Sequence, residues 1–251
     1  MNDPIADVIL SWYQKVESKE MAPVKFGALA AIPGSILIFA IIISNSTANL
    51  IGFTAFAVSL GFIVFSIWLL GQILDNSAGT KAMQDVADPI REGSEGFFMT
   101  QYGTIFKLSF VCSIGLFFIY AVREPAAQSE LNEYFSVVGM AFITSISFLI
   151  GAVCSAISGY AGIWVSVRAN LRVAAAARND YNKALQICFR GGAFAAIINV
   201  ALAIFGISFL YLILSFHFYL NAKADTVPPI QEIPVLIVGF GFGASFVAMF
   251  A

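Results

Sequence analysis

Charge is scarce in this sequence. Asp, Glu, Lys and Arg together make up 11% of its 251 residues, against about 25% in an ordinary soluble domain. Apolar residues make up 59%. Water solvates such a chain poorly, so its solvent is the lipid bilayer. The net charge of −2 gives no broad polyanion-binding surface, which excludes nucleic acid as a partner. Histidine occurs once, at His217. No His-based metal site or Ser-His-Asp triad can be assembled from this chain alone. Cys112, Cys154 and Cys188 lie in or beside apolar runs without CxxC spacing, and they read as small buried hydrophobes. A cleavable leader is not written here either. Residues 1–25 hold seven charges, and the apolar run from Phe26 ends without a small-residue cleavage site, so it reads as a retained span.

What the sequence has in abundance is long apolar runs. A helix needs about 20 apolar residues to cross a bilayer. Six runs meet or approach that length: Phe26–Ser44, Ile51–Leu74, Gly103–Val122, Tyr134–Tyr160, Gly191–Phe218 and Ile233–Ala251. The fold expected is all-α, a polytopic transmembrane helical bundle of about six spans. Basic residues retained on the cytosolic side set orientation. With the N-terminus inside, eleven of the thirteen Lys and Arg residues face the cytosol, leaving only Arg123 and Lys223 outside. Both the N-terminus and the Ala251 end are then cytosolic. The expected organisation is a cytosolic segment 1–25, a transmembrane hairpin 26–74 and a cytosolic amphipathic segment 75–102. Two transmembrane helices (103–160), a basic cytosolic segment 161–190 and two further transmembrane helices (191–251) follow, the last truncated at its end. No charge occurs from Tyr134 to Val167, which as helix is about 50 Å at 1.5 Å per residue. The excess projects from the membrane, and Ala174–Ala177 favour its continuation past Arg172. Prolines in Pro125–Glu133 and Lys223–Glu232 break helices on the outer side.

Ionisable groups inside a membrane are the default functional residues of a transporter. Here Lys107, one turn inside its run, and His217, near the end of another, are all the spans contain. No catalytic and no metal-ligating residue emerges. Gly239-Phe240-Gly241-Phe242-Gly243 lacks the Lys-Ser/Thr that completes a phosphate loop and lies within an apolar run. Its spacing instead pairs Gly239 with Gly243, and Gly241 with Ser245, as a seam for close helix packing. Ser147, Gly151, Ser155 and Gly159 form a similar stripe. Arg168 and Arg172, four residues apart, are candidates for cytosolic anchoring through lipid headgroups, or alternatively for attracting an anionic substrate. Asp85, Asp88, Arg91, Glu92 and Glu95 recur at helical spacing and read as the solvated face of an amphipathic helix on the cytosolic surface.

Four stretches, in order and at matching spacing, resemble the membrane-bound proton-translocating inorganic pyrophosphatase family. They are Gly79–Met83 with Ile90–Phe98 and Gln101-Tyr102; Ser158–Gly162 with Val167–Arg172 and Ala176–Arg178; Ala184–Gln186 with Phe189–Ala193; and Gly239–Ser245. The resemblance covers residues 51–251. Trp164–Asn170 and Gly243–Ala248 look most like the potassium-independent branch. Phe26–Ser44 would be an extra span ahead of the family's first helix.

The resemblance implies the N-terminal part of a larger pump of the sixteen-helix type, usually a homodimer, with an inner ring of six helices and an outer ring. Runs two to five would be outer-ring helices, and the sixth would begin the first inner-ring helix. The family hydrolyses magnesium pyrophosphate at the cytosolic mouth and moves protons out of the cytosol. The membranes implied are Golgi, vacuolar or other acidic-organelle membranes, or the plasma membrane. The family's Lys-x-x-Asp-x-x-x-Asp signature would follow Ala251 and does not occur in these residues. No catalytic residue is therefore carried over, and no magnesium is expected on this chain alone. Where some relatives have a Glu, the last helix has Val235, with Glu232 one turn away. The alternative is a non-enzymatic six-helix protein that packs with or regulates a partner pump. An unrelated small permease is disfavoured by the lack of charges at depth.

Overall fold

The computed structural model describes residues 3–17, 35, 47–123, 131–221 and 230–250. Apart from Ser35, the expected first span, Phe26–Ser44, lies outside the described residues, as do most of the loops around Pro125 and Pro228. Helix α1 covers Pro4–Glu17, α2 Thr47–Leu74, α3 Lys81–Val122, the short α4 Leu131–Tyr134, α5 Val137–Ala177 and α6 Tyr181–Asn221. A 3₁₀ turn at Ile230–Glu232 leads into α7, Ile233–Leu236, and α8, Val238–Phe250. No strand occurs among the described residues.

Among the described residues, five helical stretches are long and apolar enough to cross a membrane: α2, α3, α5, α6 and Ile230–Phe250. This is a multi-span integral membrane protein, and its side chains are distributed as lipid requires. Phe106, Phe110, Phe118, Ile119, Phe142 and Phe216 are exposed, whereas Ser59, Ser66, Ser109, Ser147 and Ser215 are almost fully buried. In water that pattern would be inverted. In hydrocarbon, bulky apolar groups lose nothing by facing outward, and small polar groups serve between helices. Ser109 Oγ donates to its own helix at the Ile105 carbonyl (2.8 Å). Ser113 Oγ of α3 donates to the Ser145 carbonyl of α5 (3.1 Å), and Ser158 Oγ of α5 to Asn199 Oδ1 of α6 (3.0 Å). Ser215 Oγ of α6 reaches Asn49 Oδ1 of α2 (2.6 Å). Each bond closes a donor that lipid could not satisfy.

The helices are longer than the apolar runs. α3 has 42 residues, about 63 Å at 1.5 Å per residue. Most of the expected amphipathic segment 75–102 forms the N-terminal half of α3, which continues through Gly103. Pro89 does not stop it, although proline removes one backbone donor there. Likewise α5 runs on to Ala177, and only Arg178–Asp180 separate it from α6. α2 is joined to α3 through Gly79 at φ +79°, a left-handed conformation in which a Cβ would be strained.

The chain divides into two compact units. One comprises α1, α2 from Ala57, α3 to Thr100, α5 from Ser158 and α6 to Ala201; the other holds the remaining parts of these helices with α4, α7 and α8.

Candidate functional site

In the first unit the charges gather around Arg168. Trp164 precedes it by one helical turn, and the guanidinium carbon lies 3.7 Å from that ring's centroid. Arg168 Nε donates to Asp3 Oδ2 at 2.8 Å, Nη2 bonds the same carboxylate, and Glu95 Oε1 of α3 stands 3.4 Å from Nη2. Nη1 donates to the Trp164 carbonyl (3.0 Å). Asp3 also accepts from the Ala6 amide through Oδ1, so one carboxylate caps the start of α1 and ties it to α5. Burial alone would raise the Asp3 pKa, but the hydrogen bond and charge of Arg168 outweigh it and hold the carboxyl below its ordinary value. The ring of Tyr13, further along α1, rests where a side chain on Gly71 of α2 would stand.

Arg172, one turn on, serves α2. Its Nε donates to the Asn76 carbonyl (3.1 Å), with the Leu74 carbonyl at 3.4 Å, and Nη1 donates to the Arg168 carbonyl (3.0 Å). A cation thus meets carbonyls at the C-terminus of α2, the negative end of its dipole. The two arginines expected as lipid anchors direct these donors to protein acceptors, and Arg168 is only 9% exposed.

In the second unit α8 lies against α5 with backbone on backbone. A Cβ on Gly239 would strike the Thr144 carbonyl, one on Gly243 the Phe148 carbonyl, and one on Gly151 the Phe240 carbonyl. The approach is therefore reciprocal: glycines of each helix admit the main chain of the other. The Phe240 ring occupies the space beside Gly206 of α6. Leu210, Leu214 and Phe218 of α6 join Ile233, Leu236 and Ile237 in a buried cluster next to it. At the far end of α8, Gln101 Nε2 of α3 donates to the Phe250 carbonyl. Gly241 and Ser245 do not share this contact: a Cβ on Gly241 meets nothing within 4 Å, and Ser245 is exposed. Positions two apart on a helix point about 200° from each other, so the two expected pairs mark different faces of α8. Of the two expected pairs, it is Gly239 and Gly243 that meet α5.

These carboxylates do not fit magnesium, which favours several carboxylate or phosphate oxygens around one ion. Asp3 and Glu95 face Arg168, and Asp180 accepts the amides of Asn182 and Lys183. Among the described residues no three His, Cys, Asp or Glu side chains come together as ligands.

Residues 57–251 match the family model described as inorganic H+ pyrophosphatase. The chain belongs to the inorganic H+ pyrophosphatase family. It is 42% identical over 196 residues to "Pyrophosphate-energized membrane proton pump 3" of Arabidopsis thaliana, covering 78% of this chain and 24% of that protein. It is 39% identical over 186 residues to the "K(+)-insensitive pyrophosphate-energized proton pump" of Caldanaerobacter subterraneus subsp. tengcongensis, covering 74% and 24%. Against the protein of that name from Methanosarcina mazei the identity is 36% over 199 residues, covering 79% and 24%. The chain thus spans about a quarter of the length of these curated relatives. No solved structure matches it.

Both clusters lie within the part matched to the pyrophosphatase family, apart from Asp3 and Tyr13, which precede it. Asp3 is a residue that motif reading misses, because its partner stands 165 positions away. The Trp164–Arg168 stack was open to view as an aromatic and a cation four residues apart.

Proposed function

We propose that this chain is the N-terminal membrane portion of a potassium-independent, proton-translocating inorganic pyrophosphatase. The observation that carries the proposal is the family match across residues 57–251. In this reading α2, α3, α5 and α6 are outer-ring helices, and α8 begins the first inner-ring helix. The Arg168–Lys183 region and the N-terminus face the cytosol. The eleven-to-two division of basic residues supports that orientation.

The substrate of the whole pump is pyrophosphate, with magnesium to neutralise its charge, and the transported ion is the proton. Two copies of the pump pair in the membrane, which is that of an acidic organelle or the plasma membrane. What this chain contributes is position. Gly239 and Gly243 seat α8 on the α5 backbone, Phe240 keys it beside Gly206, and Gln101 holds its far end. A helix fixed at these points presents its cytosolic end in one register to the acidic residues that the family places after the Gly239–Ser245 motif.

The purified 251-residue chain should therefore release no phosphate from magnesium pyrophosphate above a mock preparation. Magnesium-dependent hydrolysis by this chain alone would overturn the assignment of chemistry to residues it does not contain.

A further inference from the structure

A second cluster of cations remains, in a cavity of about 450 Å³ between the α2–α3 turn and the α5–α6 turn. Arg172, Arg178 and Lys183 line it. Arg172 has its Nε and Nη1 on backbone carbonyls, and Arg178 Nη1 reaches the Met83 sulfur (3.8 Å). Among the described residues none of the three forms an ion pair. The one carboxylate in the lining, Asp180, caps α6 by accepting the Asn182 amide (2.9 Å) and the Lys183 amide (3.2 Å). The lining also contains the residues just ahead of two 40-residue-class helices: Thr80 before Lys81 of α3, and Asp180 before Tyr181 of α6. The positive ends of both helix dipoles are therefore at the cavity.

We propose that this cavity binds a phosphate-bearing anion. Three cations against one engaged carboxylate leave a positive field that water and salt alone must otherwise screen. Arginine fits tetrahedral oxyanions through paired N–H donors, and lysine adds a compact charge. Ser77 and Thr80 add hydroxyls to the same lining. The anion is either the headgroup of an acidic phospholipid, which basic pockets at helix ends recognise, or a soluble phosphate. The site goes beyond the pyrophosphatase reading and does not depend on it, since it rests on charge and shape alone.

The test uses the purified full chain in neutral detergent. Native mass spectrometry counts bound dioctanoyl phosphatidylglycerol, with dioctanoyl phosphatidylcholine as the uncharged-headgroup comparison. Inorganic phosphate binding is read by calorimetry. The expected result is one saturable phosphatidylglycerol or one phosphate per chain, weakened at least tenfold in the Arg178→Gln/Lys183→Gln double variant. Phosphatidylglycerol binding that millimolar phosphate does not displace identifies a lipid; displacement identifies a soluble anion. Lys107→Gln removes a charge elsewhere and should leave binding unchanged. Arg178 and Lys183 are both exposed, so the double variant should keep its helical circular dichroism. Binding of neither probe, or equal binding in parent and double variant, overturns the proposal.

Discussion

Gly243 has no room for a side chain. Its added Cβ would collide with the Phe148 carbonyl and lie 3.0 Å from the Ala152 amide nitrogen, and neither backbone atom can swing aside. Gly241, two positions earlier, opens onto nothing within 4 Å. Gly243→Leu should therefore cost about 1–3 kcal/mol of stability through overpacking. Gly241→Leu should be neutral or gain some of the ~0.8–1.0 kcal/mol by which helix propensity penalises glycine. Unfolding in mixed micelles titrated with denaturing detergent compares the two; equal loss in both would remove the seam. The four-residue spacing of these glycines was legible in the sequence. Which of the two pairs faces α5 was not, because the rotation of α8 follows from where Phe148 and Phe240 stand, and hydropathy is nearly uniform around such a helix. Asp3 makes a second prediction at this scale. Its folded pKa lies below the ordinary 3.8, so its contribution is complete above that value and is lost as pH falls through the folded pKa. A nitroxide at the exposed Gln14 should be immobile at pH 7, become mobile well below pH 3.8, and be mobile already at pH 7 in Asp3→Asn. Equal mobility of parent and variant at pH 7 would show that the pair does not hold α1.

At the scale of elements, five of the expected spans correspond to described helices, and the mismatch lies in where they stop. Apolar runs end near Gly103 and Tyr160, yet α3 begins at Lys81 and α5 continues to Ala177. Hydropathy reports the membrane part of a helix; the polar remainder of α5 carries good helix formers such as Ala174–Ala177. The amphipathic segment around Asp88 was legible as a helix. Its continuity with the span was not, since Pro89 and Gly93 argue locally for a break. The orientation of the elements rests on charge alone. Single cysteines at Asn179 and at Ser129, in a background without Cys112, Cys154 and Cys188, should react with impermeant maleimide from the cytosolic and the opposite side respectively. Reaction of Asn179 from the side opposite the cytosol would invert the topology.

At the scale of the whole molecule, the chain spans about a quarter of the length of its relatives, and the proposed assignment makes it one part of such a pump. Under that proposal its near absence of charges at depth reads as a division of labour: packing here, proton and phosphate chemistry elsewhere. The family could be read from four motifs, because their Gly, Arg and Asn residues stand out among generic apolar runs. The Arg168–Asp3 tie and the basic cavity could not, because their members meet only through the fold. The most direct test replaces the matched quarter of the Methanosarcina mazei protein with residues 57–251 of this chain and measures pyrophosphate-driven acidification of sealed membrane vesicles. If the chain is the membrane portion of such a pump, the chimera hydrolyses pyrophosphate and acidifies the vesicles, and Gly243→Leu in the chimera impairs both. A chimera inserted at the parent's level that neither hydrolyses pyrophosphate nor acidifies would contradict the account.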